Sequence, residues 1–391
     1  MAGVLLAQAD ALHLPLRDKS VQCIVSSPPY WGLRDYNTGR WLGGASACNH
    51  SRRTSMKEES VGTNSRPTNT NHEQEGWRGG ICGKCGAVRE YEQLGLEKLH
   101  DCAGAFTGTS CGACYVCHLR QVAQELWRVL RDDGTFWLNL GDSMSSGGRV
   151  GHGTRQSYKQ QTNRGMNGTN DPPRLPQPPG LKPKDLVGVP WRVALALQAD
   201  GWFLRCDVIW EKPNCFPSSV KDRPTRSHEY LFLLTKSPQY FYDAQAIAEE
   251  VVTGANGSSF TSAYDVSTKP GLGMGPRHDG LTRNARSVWT INTESFHGQH
   301  FATMPTALVE RCIRAGSATG DTVCDPFCGS GTVPLVARAL GRHSVGLDLS
   351  LPYLRDEAKK RLGFTDLEAW EKGGKIQETR YEDLPLFRHE T

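Results

Sequence analysis

Between residues 306 and 348 the chain reads helix, short apolar strand, glycine loop, helix, strand and acid. This succession constrains the fold more than any other stretch. Thr306 to Ala315 has helical spacing. Thr322-Val323-Cys324 is a short strand, and Asp325-Pro326-Phe327-Cys328-Gly329-Ser330-Gly331-Thr332 follows it. Val333 to Leu340 reads as a helix, and Ser344 to Leu347 as a strand ended by Asp348. A strand, a crossover helix and a second strand of these lengths close as a parallel unit. The alternation recurs earlier in the chain. Val21 to Val25 is apolar enough for a buried strand. Val116, Leu119, Val122, Ala123, Leu126, Val129 and Leu130 repeat at three-four spacing from Tyr115, and Asp132-Asp133-Gly134 ends that helix. Thr135 to Leu140, Phe203 to Trp210 and Tyr230 to Thr235 read as strands; Val189 to Ala199 and Pro352 to Leu362 read as helices. The expected fold is α/β, a Rossmann-like, doubly wound, mostly parallel sheet.

Two loops carry the chemistry. In the first, Gly329 and Gly331 let the backbone turn tightly and approach a ligand, and the helix starting near Thr332 offers its N-terminus to an anion. Asp348, ending the next strand, is placed to accept bonds from ribose hydroxyls, so the loop reads as a nucleotide-cofactor site with Asp325, Phe327 and Ser330 in its wall. The second loop is Ser27-Pro28-Pro29-Tyr30, directly after the first strand. Consecutive prolines fix φ and remove backbone donors; Ser27 and the proline carbonyls are left as acceptors, and Tyr30 offers a ring face.

Ser26 to Tyr36 (SSPPYWGLRDY) and the DPFCGSGT loop, in this order, resemble the amino-methylating DNA methyltransferases of the permuted (beta) class. In that class the catalytic motif comes first and the cofactor motif last. The resemblance spans about residues 4–45, 86–145, 185–250 and 284–365. It implies S-adenosylmethionine as cofactor, a circularly permuted methyltransferase sheet, and double-stranded DNA as partner. It also implies Asp10 beside the cofactor adenine, and Phe301 and Thr303 of His300–Pro305 beside its methionine end. An exocyclic base amine is a poor nucleophile because its lone pair is delocalised into the ring. Acceptors at Ser27 and at a carbonyl of Pro28 or Pro29 take both its N–H bonds and aim the lone pair at the methyl sulfonium, with Tyr30 stacking on a flipped base. Serine in first position is more usual for cytosine N4 in this family, and aspartate or asparagine for adenine N6. Cytosine N4 is the expectation. Adenine N6, protein-glutamine or RNA methylation, and a non-catalytic zinc-dependent nucleic-acid-binding protein remain open alternatives.

Seven of the thirteen cysteines lie between Cys48 and Cys117. Clustered Cys-x-x-Cys pairs without an export signal read as metal ligands. Cys48, His50, Cys82 and Cys85 form one candidate structural zinc set; Cys102, Cys111, Cys114 and Cys117 form a second. Net charge is only +4, so any affinity for nucleic acid must come from local charge. Residues 147–183 hold six basic residues against one acid, and 251–287 carry Lys269, Arg277, Arg283 and Arg286; both suit phosphate contact or base reading.

The chain therefore divides into core with the SPPY motif (1–43), zinc-binding insertion (44–117), core (118–146), basic loop (147–184), core (185–250), variable loop (251–287), cofactor-binding core (288–365) and tail (366–391). No apolar run approaches the roughly 18 residues of a membrane span. The N-terminus lacks a basic n-region, so the expected location is the cytoplasm of a bacterial or virus-infected bacterial cell.

Overall fold

The computed structural model describes residues 2–31, 40–43, 45, 48, 85, 87–90, 94, 111–112, 114–145, 180–215, 217–250, 282–294 and 303–363. In chain order the strands are β1 (Val4–Gln8), β2 (Val21–Ser26), β3 (Arg40–Leu42), β4 (Val88–Glu90), β5 (Leu130–Leu140), β6 (Phe203–Glu211), β7 (His228–Thr235), β8 (Glu249–Glu250), β9 (Thr282–Arg283), β10 (Val288–Thr290), β11 (Thr322–Asp325) and β12 (His343–Asp348). The helices are α1 (Tyr115–Val129), α2 (Val189–Ala199), α3 (Thr306–Gly316), α4 (Thr332–Ala339) and α5 (Lys359–Arg361). The chain forms two units. One holds Met1–Ser27, Gln121–Gly141 and Ala194–Thr391; the other holds Pro28–Arg120 and Asp142–Val193.

The first unit is built on an eight-stranded sheet of order β1-β12-β11-β2-β5-β7-β6-β10. Every neighbouring pair is parallel except those made by β7, which runs against both β5 and β6. All six residues of β2 are buried, as expected of a central parallel strand covered on both faces. Side chains of β5 alternate between two packed layers. Trp137 joins Cys23, Leu308, Ile313, Val333 and Val336 on the side of α3 and α4. Its neighbour Phe136 points the other way and meets Trp202, which also takes the edge of Trp127 at 5.0 Å. The expected doubly wound, mostly parallel sheet is therefore present.

Two readings change. Asp132-Asp133-Gly134 does not separate α1 from a strand beginning at Thr135; β5 begins at Leu130. The register jumps from Val21↔Leu130 to Cys23↔Thr135, so the turn-like residues form an irregularity within the strand. Tertiary contacts hold it: Asp132 pairs with Lys19 at 2.7 Å and Lys236 at 3.1 Å, and a Cβ on Gly134 would meet Leu130 at 2.6 Å. The second change is β1, which the sequence reading passed over. It is a partly exposed edge strand with little apolar patterning, held in register against β12 from Val4↔Ser344 to Gln8↔Asp348.

In the second unit β3 and β4 pair antiparallel, Arg40↔Glu90 to Leu42↔Val88. β3 thus lies just before the segment 44–117, and β4 lies within it. Asp142 takes the N–H groups of Gly188 and Val189 at 3.1 and 2.9 Å and thereby caps α2. Of the expected segments, 147–179, 251–281 and 364–391 lie outside the described residues. Among the described residues no helix is long and apolar enough to cross a membrane.

Candidate active site

In open α/β sheets ligands bind beyond the carboxyl ends of the strands, where the strand order reverses. Here that point lies between β11 and β2: from β11 the chain proceeds outward through β12, and from β2 through β5. Both loops singled out in the sequence leave the sheet at this place, the glycine loop from Asp325 and the tetrapeptide from Ser26.

The glycine loop is held from within. Gly329 and Gly331 adopt φ of +50° and +79°. At Gly331 a Cβ would also sit 2.9 Å from the Ala358 Cβ, so two independent constraints require glycine there. Gly331 precedes α4 without any side-chain cap, and Pro334 in the first turn has no N–H. The free donors of that turn are therefore the N–H groups of Thr332 and Val333, suited to a carboxylate. Asp348 accepts the Gly329 N–H at 2.8 Å and the Ser350 N–H at 2.8 Å, one on each oxygen. Burial raises its carboxyl above the ordinary aspartate value, and those two donors oppose the rise. Each oxygen keeps a lone pair for a ligand hydroxyl. Asp10 is exposed just beyond β1, whose Gln8 is the register partner of Asp348; its carboxylate accepts the Leu12 N–H at 2.9 Å. Thr303 is half-buried ahead of α3, Phe327 is half-buried in the loop, and Phe301 lies outside the described residues.

Three features escaped the sequence reading. Asp325, expected in the cofactor wall, is only 3% exposed. It accepts the Ser26 hydroxyl at 2.7 Å and the Phe327 N–H at 3.0 Å. It thus ties the last residue before the tetrapeptide to the glycine loop. Arg361 of α5 donates to Thr332 Oγ1 at 2.6 Å and Ser330 Oγ at 3.1 Å, occupying two hydroxyls assigned to the cofactor. Tyr115, wholly buried at the start of α1, donates to the Pro29 carbonyl at 2.9 Å. Apart from the Phe327 N–H, these partners lie between 29 and 299 residues apart, so their pairings have no local signature.

Burial drives the Asp325 carboxyl up to about 7, with the Ser26 hydroxyl the first of the groups opposing it. A folded-state value above the unfolded one means that the folded chain holds the proton more tightly. The associated stability is full below about pH 4 and lost as pH rises through about 7. A three-unit displacement corresponds to at most about 4 kcal/mol. Asp325→Asn should therefore flatten the fall in melting temperature between about pH 4 and about pH 7. Identical pH profiles for variant and native protein would refute this origin.

Ser27 is half-buried at the end of the first unit; Pro28 (buried), Pro29 and Tyr30 (both half-buried) open the second. The Cys328 thiol, inside the cofactor motif, is pushed well up by burial, as are those of Cys23, Cys312 and Cys324. All four are buried in the apolar interior. Lys212 and Glu229, at the carboxyl end of β6 and the facing start of β7, form an ion pair. Asn139 reaches Glu229 at 3.3 Å, and Lys212 lies 4.2 Å over the Trp210 ring.

Of the cysteine sets, the structure brings together Cys111, Cys114 and Cys117, whose sulfurs all lie within 4.8 Å of one another. Cys102 lies outside the described residues, as do His50 and Cys82 of the other set; Cys48 and Cys85 are half-buried.

A glycine loop between strand and helix, a buried acid tying it to the end of β2, and a carboxylate at the next strand end are the features of a methyltransferase fold. The DNA methylase family model (N6_N4_Mtase) matches residues 21–360, and the chain belongs to that family. It is an S-adenosylmethionine-dependent DNA methyltransferase acting on an exocyclic amine. The chain is 39% identical over 362 residues to the Type II methyltransferase M.Cfr9I of Citrobacter freundii, covering 92% of this chain and 88% of that one. It is 38% identical over 340 residues to the Type II methyltransferase M.SmaI of Serratia marcescens, covering 87% and 83%. Among solved structures it is similar to the PvuII DNA methyltransferase (cytosine-N4-specific), with TM-score 0.49 and 15% identity, covering 95% and 90%.

Proposed function

We propose that this chain is the methyltransferase of a Type II restriction–modification pair and methylates cytosine N4 in double-stranded DNA. The Type II methyltransferases aligned along most of its length support the first part. The observation that best supports the chemistry is the Ser26–Asp325 bond at the switch point, one residue before Ser27. Ser27 Oγ takes one N–H of the amine. With the Pro29 carbonyl engaged by Tyr115, the Pro28 carbonyl is the better placed second acceptor. Tyr30 stacks on the flipped base. The cofactor supplies the electrophilic methyl; Asp348 and Asp10 hold its ribose and adenine, and the turn at Thr332 holds its carboxylate. Neutral Ser27 is the reason to favour cytosine.

The circular permutation is part of this reading. The first strand, β1, lies beside the last, β12, so a chain opened at another strand could build the same sheet. Zinc enters as a structural ion on the cysteine clusters. Residues 147–184 and 251–287 are assigned to phosphate contact and base reading.

The test is mass spectrometry of nucleosides from duplex DNA incubated with the protein and methyl-labelled S-adenosylmethionine. Labelled N4-methylcytosine is the expected product. Labelled N6-methyladenine would keep the mechanism and overturn the base, and label only in RNA or protein would overturn the substrate.

A further inference from the structure

Tyr115, which holds the Pro29 carbonyl, stands between Cys114 and Cys117. The Cys111 and Cys117 sulfurs are 3.5 Å apart, the Cys111 N–H donates to Cys117 Sγ at 3.3 Å, and Cys114 is fully buried in the same group. Four ligands at about 2.3 Å from a tetrahedral zinc ion are separated by about 3.8 Å. Three sulfurs within 4.8 Å match that spacing closely. A disulfide would instead draw one pair to about 2.05 Å and leave the third thiol out. The two Cys-x-x-Cys steps, Cys111 to Cys114 and Cys114 to Cys117, supply three soft ligands to one point, with a corner left for a further donor.

We infer that a zinc ion held by Cys111, Cys114 and Cys117 positions the catalytic turn, acting through Tyr115 on the Pro29 carbonyl. The backbone is tied on both sides of Tyr115 by the sulfurs, and the tyrosine side chain is buried. Its hydroxyl therefore presents a fixed donor to Pro29, two residues from Ser27. Without the ion, three thiols and the start of α1 lose their common anchor. Tyr115 would then hold the turn only through its own packing. Tyr115 is a positioning residue in this scheme, with no contact to the reacting atoms. The inference rests on the methyltransferase reading for its functional half and on cysteine geometry alone for its metal half.

The experiment compares zinc content, cofactor binding and single-turnover methylation in native protein, Cys114→Ser, Cys111→Ser and Tyr115→Phe. Cys111→Ser is included because Cys111 is exposed, so this variant folds even if the buried Cys114 change does not. Each cysteine variant should lose about one zinc equivalent relative to native protein. Tyr115→Phe should keep native zinc and native cofactor affinity while the methyl-transfer rate falls about tenfold, the worth of one hydrogen bond. Chelation should lower the native rate by a similar factor, zinc should restore it, and chelated Tyr115→Phe should fall no further. Equal zinc in native and cysteine variants, or a Cys111–Cys117 disulfide found by peptide mapping, would remove the metal. A zinc-loaded Tyr115→Phe with full activity, or losses that add, would break the link. Zinc-loaded native protein that methylates no DNA would strike the methyl-transfer reading and leave the metal site standing.

Discussion

Ser27→Ala and Tyr30→Ala proteins should each lose methyl transfer by about 10²-fold or more while binding S-adenosylmethionine with native affinity. An exocyclic amine conjugated to the ring attacks a sulfonium only when its lone pair is redirected, and in the proposed mechanism Ser27 is one of the two acceptors that do this. Removing the hydroxyl leaves one N–H unheld and the nitrogen planar. The role proposed for Tyr30 differs: its ring would replace the stacking lost when the base leaves the duplex, worth about 1–3 kcal/mol per base. Ser27→Ala should therefore depress the single-turnover rate at saturating DNA. Tyr30→Ala should also weaken binding of the duplex, because the cost of flipping the base is then no longer offset by stacking. Normal turnover by both variants would remove the catalytic assignment.

Asp348→Ala should raise the dissociation constant for S-adenosylmethionine by about 10- to 100-fold, the loss of charge-assisted bonds worth about 1.5–3 kcal/mol. The same carboxylate holds the Gly329 and Ser350 N–H groups, so the substitution also loosens the loop. Asp348→Asn separates the two effects. Its remaining oxygen can still accept one backbone N–H, but the anionic acceptor proposed for ribose is gone. Titration calorimetry on both variants, with melting curves for the apo proteins, distinguishes ligand binding from loop support. An unchanged dissociation constant in Asp348→Asn would dismiss the ribose role.

Much of the form of the glycine loop was legible because its signals are local. A strand, two glycines, a helix start and an acid at the next strand end fall within 24 residues, from Asp325 to Asp348. Gly331 shows why the signal is dependable: its positive φ and its approach to Ala358 both exclude a side chain. The tetrapeptide was legible for a similar reason, since proline constrains its own neighbours. Asp325 was assigned to the cofactor because it opens the motif. In the fold it faces Ser26, a residue that the tetrapeptide reading passed over.

The sequence by itself determined the alternation of strands and helices, the two loops and the cysteine spacing, because each depends on periodicity or backbone preference within a few residues. Tertiary structure decided which strands are neighbours, and hence that Ser26 meets Asp325. It also decided that β1 closes beside β12, that Asp132-Asp133-Gly134 lies within β5 rather than before it, that Arg361 holds Ser330 and Thr332, and that Tyr115 holds Pro29. The physical reason is common to these cases. A hydroxyl, guanidinium or carboxylate taken from water must find a partner. The nearest candidate is set by sheet order and packing, which bring together residues far apart in the chain.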